Sequence, residues 1–166
     1  MKKGERDGLT DVVIETPAGS RIKYGWDPES KRFRASRVLP LGMAFPYDFG
    51  YVPGTKSDDG DPLDVLVLAD APLAVGTIVA CRIIGVIQVA QSEEGVEELV
   101  RNDRVVGVPE HAIRGAAWRE LDDLGPHLLE EIESFFRTYV EREGRAFRLI
   151  GRGDAKAARA AIADAG

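Results

Sequence analysis

The residues best suited to chemistry stand together in Ser57-Asp58-Asp59-Gly60-Asp61-Pro62-Leu63-Asp64, which runs on into Val65-Leu66-Val67-Leu68-Ala69-Asp70. Five aspartates fall within the 13 residues from Asp58 to Asp70, with no Lys or Arg among them. Like charges a few ångströms apart repel by about 1 kcal/mol even in bulk water, and such crowding raises carboxyl pKa values unless a cation intervenes. Gly60 permits a tight backbone, and Pro62 pushes Asp61 toward an extended conformation just before a strand opens. Asp59, Asp61 and Asp64 can then converge at one strand mouth. Their short, hard carboxylates suit Mg²⁺ or Mn²⁺, which take one or two carboxylates plus water and phosphate oxygens. A calcium EF-hand is excluded, because Gly60 follows the first candidate ligand and a strand comes next. An aspartyl-phosphate phosphatase is excluded as well, because its D-x-D follows an apolar strand and this D-G-D precedes one. From the residues alone, a solvated acidic turn and a hard-metal site both stay open.

A metal that meets phosphate needs cations and hydrogen-bond donors from other strands. Lys23, Arg37 and Arg104 each sit within or beside a strand-like segment, and Glu15 ends one. Taken singly, each also reads as a solvated charge. Tyr139 lies on an apolar helical stripe, where core packing with its hydroxyl satisfied at the edge is the plain reading.

The elements that position these residues follow from periodicity. From Val12 to about Leu68 short β-branched runs alternate with turn signals, which predicts two hairpins in series over Val12-Ile14, Ile22-Tyr24 and Arg32-Arg34. Leu63 to Leu68, Thr77 to Val89 and Val105 to Val108 are further strands. Five or six short strands favour a closed barrel, since closure removes exposed edges. Leu128, Leu129, Ile132, Phe135, Phe136, Tyr139 and Val140 share one helical face, with Pro126 at the first turn and Gly144 at the stop, so a helix is expected over 127–143. A second helix spans 154–163 with Asp154 as its cap. The chain thus reads as one mainly β domain (α+β) over 1–166, a barrel carrying C-terminal helices.

Composition narrows the function. The chain has 166 residues and a net charge of −6, with a pI near 5.0, which argues against a nucleic-acid binder driven by bulk charge. The polar start and the lack of a long apolar run predict a cytoplasmic protein with no membrane partner. Cys81 is the only cysteine, and with His111 and His127 it is too scattered for a zinc site. On its apolar strand Cys81 reads as a structural thiol.

Taken together, these residues resemble the soluble family I inorganic pyrophosphatases. Asp59-Gly60-Asp61-Pro62-Leu63-Asp64-Val65-Leu66-Val67 matches that family's D-G-D-P-x-D-V-L-V signature in full. Val13-Ile14-Glu15-Thr16-Pro17, Ile22-Lys23-Tyr24, Arg37, Phe45-Pro46, Phe49-Gly50-Tyr51, Gly107-Val108-Pro109 and Phe135-Phe136 with Tyr139 support it in order. The resemblance implies an OB-like five-stranded β-barrel with flanking α-helices and Mg²⁺-dependent hydrolysis of pyrophosphate to two phosphates. It also implies a homo-oligomer, hexameric in bacterial members. By position, Glu15, Asp59, Asp61, Asp64 and Asn102 would serve the metal. Asp61 would act as general base toward a metal-activated water, and Lys23, Arg37, Arg104 and Tyr139 would bind phosphoryl oxygens.

The departures from the family pattern gather in the site. Gly25 replaces the usual Glu, Phe45 and Phe49 replace tyrosines, and Val140 and Arg104 replace lysines. Asn102 takes the place of a metal-binding aspartate, and Gln91 or Ser92 that of another. The segment from Gln91 to Asn102 reads as a long acidic loop, in which Glu93, Glu94, Glu97, Glu98 or Asp103 could restore a ligand. Fewer bound metals are expected. Two alternatives to pyrophosphate hydrolysis follow: a phosphohydrolase for another diphosphate, or a degraded member that only binds metal or phosphate. An OB-type nucleic-acid binder would need a basic groove with exposed aromatics.

Overall fold

A computed structural model describes residues 8–166; the polar start up to Asp7 lies outside them. The described strands are β1 (Thr10–Thr16), β2 (Ile22–Asp27), β3 (Arg32–Val38), β4 (Asp48–Tyr51), β5 (Asp64–Val67), β6 (Ile78–Ser92), β7 (Leu99–Arg101), β8 (Arg104–Pro109) and β9 (Phe147–Gly153). Helix α1 (Pro126–Arg142) precedes β9, and α2 (Ala155–Ala165) follows it. No described helix is long and apolar enough to cross a membrane.

Strands β1, β4, β5, β8 and β6 are neighbours in that order, and β6 pairs back to β1, so the sheet closes into the expected five-stranded ring. The 15-residue β6 makes closure possible. Its first half ladders with β1 and β8, and its second half with β7 and β9.

The first of the two expected hairpins does not form. Strand β2 pairs only with β3, and β1 pairs with β4 and β6. The reason is burial: Val12 and Ile14 are both fully buried, so β1 needs a partner within the ring, whereas β2 and β3 are largely accessible. That partner, β4, is the four-residue Asp48-Phe49-Gly50-Tyr51, too short to read as a strand. Gly50 makes the pairing possible, since a Cβ there would lie 2.2 Å from the Val13 carbonyl oxygen.

The expected loop from Gln91 to Asn102 is a hairpin. Strand β6 runs on to Ser92, and β7 returns with Ala90, Gln91 and Ser92 opposite Arg101, Val100 and Leu99. Polar Gln91 and Ser92 are buried there because β9 covers the other edge, where Ser92 N–H donates to the Ala146 carbonyl and the Ser92 hydroxyl accepts from Ala146 N–H. Strand β9 was not read from the sequence, since only Phe147 and Leu149 mark its alternation among arginines and glycines.

Strands β5 and β8 run parallel with Asp64 opposite Arg104. Both faces of this pair are covered, so β5 reads as an unbroken apolar run. Val65, Val67 and Val105 pack in the cluster that includes Val12, Ile14 and Ala158 of α2. Leu66, Leu68, Val106 and Val108 pack in the cluster with Leu129, Ile132 and Phe136 of α1. Both helices form as expected, and Asp154 caps α2 by accepting from Ala157 N–H at 2.8 Å. Side chains alternate along a strand, so Asp64 and Arg104 share the face of Leu66 and Val106, toward α1. Cys81 is fully buried, and burial pushes its thiol up to about 12, consistent with a structural thiol.

Replacing Gly50 by Ala should destabilise the protein by about 2–3 kcal/mol, because β1 must move away from the new methyl group. Urea unfolding measures this, and an unchanged midpoint would show that the ring tolerates a wider β1–β4 spacing.

Candidate active site

A cavity of about 540 Å³ opens between the β2–β3 hairpin, the turn before β5, the start of β8 and the C-terminal half of α1. All nine residues singled out from the sequence line it: Glu15, Lys23, Arg37, Asp59, Asp61, Asp64, Asn102, Arg104 and Tyr139.

One wall is acidic. The Asp59 carboxylate folds its own turn, with Oδ1 accepting from the Ser57 hydroxyl at 2.6 Å and from Asp61 N–H at 3.0 Å. Gly60 sits at φ +90° and donates its N–H to the Ser57 carbonyl, so a side chain at this position would be strained. This tight reversal sends Asp59 and Asp61 to the same cavity, while Asp64 arrives as the first residue of β5. Burial pushes the Glu15 carboxyl up to about 7, helped by the nearby Asp64 charge. Burial also raises Asp64 to about 6, against the pull of Arg104 and Lys23. Asp61 is raised by burial, then by Asp59 and Glu93. Glu93 reaches the cavity from the β6–β7 turn, whereas Asp103 is held away by Arg101 and Val89 N–H.

Cations line the same cavity beside these carboxylates. Arg104 is only 3% exposed, which rules out a solvated charge. Its Nη2 donates to Gln91 Oε1 at 3.0 Å, its Nη1 to the Asn102 carbonyl at 3.3 Å, and its guanidinium lies 4.3 Å from the Phe136 ring centroid. Its Nε has no partner. Lys23 Nζ lies 5.5 Å from the Tyr139 ring centroid. The Tyr139 hydroxyl is buried without a hydrogen-bond partner, contrary to the expectation of a satisfied edge. Burial raises its pKa, and Lys23 and Glu143 act on it in opposite directions. Arg37 forms an ion pair with Glu143.

The departures from the family pattern have physical readings. Phe45 and Phe49 stack into an apolar cluster with Phe135, Phe136 and Tyr139. Val140 is fully buried and brings no charge. A Cβ at Gly25 would meet nothing within 4 Å, so that wall stands open. Sequence reasoning passed over Trp26 and Arg145, both of which line the cavity. The only signal for Arg145 was a basic residue directly after the glycine that ends α1.

No three Asp, Glu, His or Cys side chains among the described residues form a cluster that would hold an ion unaided. The carboxylates therefore meet at one cavity without building a cage. That arrangement fits Mg²⁺, which keeps several waters and relies on one or two carboxylates plus phosphate oxygens. Neither His nor Cys lines the cavity, and Asp, Glu, Asn and Gln supply oxygen donors, the set preferred by hard cations. The raised carboxyl pKa values mark negative charge that a cation would compensate.

A carboxyl whose pKa is raised by folding holds its proton longer in the folded state than in the unfolded one. Stability without divalent ions should therefore fall as pH rises from about 4.5 to 7 for Glu15 and from about 3.8 to 6 for Asp64. Urea unfolding in chelator from pH 4.5 to 8 should show Glu15→Gln losing about 2 kcal/mol less than the native chain. Parallel curves would show that Glu15 titrates normally.

The family model described as inorganic pyrophosphatase matches residues 12–165. An inorganic pyrophosphatase of Nostoc sp. is 34% identical over 157 residues, covering 95% of this chain and 89% of its own. One from Thermus thermophilus is 36% identical over 153 residues, covering 90% and 84%. The crystal structure of the inorganic pyrophosphatase from Thermus thermophilus superposes with a TM-score of 0.88 at 31% identity, over 99% of this chain and 94% of that one. That from Neisseria gonorrhoeae gives 0.84 at 32%, over 95% and 89%. With a family model matched over residues 12–165 and relatives above 30% identical over most of its length, the chain belongs to the inorganic pyrophosphatase family.

Proposed function

We propose that this chain hydrolyses inorganic pyrophosphate to two phosphates with Mg²⁺ as its ion, Mn²⁺ being the second choice. The observation that carries this reading is one cavity lined both by carboxylates and by cationic and hydroxyl side chains with donors left unpaired. A doubly phosphorylated anion with a hard cation between its oxygens and the carboxylates complements both sets of groups.

In this reading Asp59, Asp64 and Glu15 hold the ion or its waters, and Asn102 adds a neutral oxygen. A divalent ion held by these groups would supply charge neutralisation of the diphosphate and a lowered pKa for the attacking water. Asp61 accepts the proton of that water, a task helped by a carboxyl pKa above the ordinary carboxylate range. The new P–O bond forms as the bridging P–O bond breaks. Lys23, Arg37 and Arg104 meet the charge that grows on the leaving phosphate, and the Tyr139 hydroxyl donates to it. The phenyl rings of Phe45, Phe49 and Phe136 keep that side dry, which strengthens each of these interactions. The chain acts as a single cytoplasmic domain within a homo-oligomer, a hexamer by resemblance to bacterial members.

The open wall at Gly25 favours a second reading, because it lies beside Trp26, which is 44% exposed. A diphosphate bearing an organic group could seat that group there.

Phosphate release from pyrophosphate by the purified chain should require Mg²⁺ and stop in chelator. Asp61→Asn should lower kcat by about 10²–10⁴-fold, while Mg²⁺ still raises Tm by binding the folded state. An Asp61→Asn rate within threefold of the native rate would remove Asp61 as the base. Release from organic diphosphates with none from pyrophosphate would select the second reading.

A further inference from the structure

Arg145 enters the cavity from the turn that closes α1, where Gly144 adopts φ +76°. Its side chain is 11% exposed, and its Nη2 lies 3.0 Å from Glu143 Oε2. The same carboxylate oxygen receives Arg37, whose side chain is 46% exposed. One carboxylate thus serves two guanidinium groups, leaving a net positive charge at the rim. The pairing is also incomplete, because Arg145 Nε and Glu143 Oε1 are both buried without hydrogen-bond partners. Burial lowers the Arg104 pKa, and the Arg145 charge adds to that shift, so the two guanidinium groups lie within electrostatic reach of each other.

A structural brace would leave a different pattern. A guanidinium presents five N–H donors, and one held only to tie down a helix end would spend them on carbonyls of the preceding turn. Here the recorded partner is the Glu143 carboxylate rather than a helix carbonyl, and Arg145 lines the cavity together with Arg37, Arg104 and Tyr139. Val140, where the family usually carries a lysine, is sealed in the core, so α1 delivers no cation from that position. The next basic side chain to reach the cavity from this end of α1 is Arg145.

We propose that Arg145 is a substrate-binding residue of this chain: it takes a phosphoryl oxygen of the diphosphate through its planar guanidinium, while Glu143 holds Arg145 and Arg37 in register for the same anion. This inference rests on the diphosphate reading of the cavity. It adds a cation from the α1–β9 turn that the resemblance does not supply. A guanidinium fork can bind two oxygens of one phosphoryl group, which an ammonium group does only as a point charge.

The test is calorimetric binding of methylenediphosphonate, an uncleavable diphosphate, with Mg²⁺ present, alongside KM and kcat for pyrophosphate. Arg145→Gln should weaken binding about tenfold and raise KM in parallel, with kcat changed less than threefold, as expected for loss of one charge-assisted contact. Arg145→Lys should recover at least part of the loss. Glu143→Gln keeps a hydrogen-bond acceptor but loosens the hold on both guanidinium groups, so it should weaken diphosphonate binding by less than Arg145→Gln does, with Tm unchanged. Native affinity in Arg145→Gln would overturn the proposal. So would equal weakening in Arg145→Gln and Glu143→Gln with matching falls in Tm, the signature of a brace. Should Arg145→Gln fail to fold, Arg145→Lys and Glu143→Gln decide by the same criteria. A native chain that binds the diphosphonate without releasing phosphate from pyrophosphate would refute the hydrolase reading and leave the Arg145 comparison intact.

Discussion

Arg104 carries a charge it cannot give up, and it is buried at the junction of strand, helix and cavity. Taking a guanidinium out of water costs several kcal/mol unless the protein replaces its hydration. The surrounding elements do this piece by piece. The extension of β6 to Ser92 brings Gln91 Oε1, the turn before β8 brings the Asn102 carbonyl, and α1 brings the face of Phe136. The parallel register of β5 and β8 sets Asp64 opposite, where its charge favours the cation. Each of these groups fixes the position of a larger element. Arg104 Nε and the Tyr139 hydroxyl are among the buried groups left without a partner, and both residues line the cavity. The fold therefore compensates Arg104 only in part, and the uncompensated part is what an anion would satisfy.

Helix α1 explains how a hydrophobic core and a charged site can share one wall. Its buried stripe runs from Leu129 through Ile132 and Phe136 to Tyr139 and Val140. The first members pack on the sheet. Tyr139 comes where the sheet edge ends, so its ring continues the aromatic cluster while its hydroxyl meets the cavity. Glu143 and Arg145 follow one turn later, where the turn after α1 reaches the cavity. A single amphipathic period thus passes from core to site without a break, and the aromatic cluster is the dry floor beneath the cations. Phe45 and Phe49, where the resemblance implies tyrosines, extend this floor without bringing hydroxyl groups.

Much of the site was legible because its residues obey local rules. The turn Asp59-Gly60-Asp61-Pro62 announces itself by charge crowding and by residues with restricted or permissive backbones. Lys23, Arg37 and Tyr139 sit on segments whose periodicity is plain. What could not be read depended on distant contacts. Strand β4 exists because Val12 and Ile14 need a partner inside the ring and Gly50 lets one approach; nothing within Asp48–Tyr51 itself demands a strand. Strand β9 is specified by the edge of β6 and by the polar pair Ser92 and Ala146, separated by 54 residues. The burial of Arg104 was hidden for the same reason, since its partners Gln91 and Phe136 lie on other elements. Arg145 escaped notice because a lone basic residue after a helix-ending glycine looks like dipole compensation.

The departures from the family pattern make sense as a coupled set. A guanidinium in place of a lysine at Arg104 is larger and more weakly hydrated, and it needs acceptors in the plane of its fork. Gln91 supplies one as a neutral amide. A carboxylate at that place would neutralise Arg104 and spend on an internal ion pair the charge that now faces the cavity. Fewer acidic groups at Gly25, Asn102 and Gln91 or Ser92, as the resemblance implies, would lower the demand for metal in the proposed reading and leave the cavity less negative. The same logic applies at the rim, where Val140 gives up a cation and Arg145 stands with Arg37 on a single carboxylate. The cavity keeps acidic and basic side chains together, and in the proposed reading it would draw more of its hold on the anion from arginine and less from bound ions.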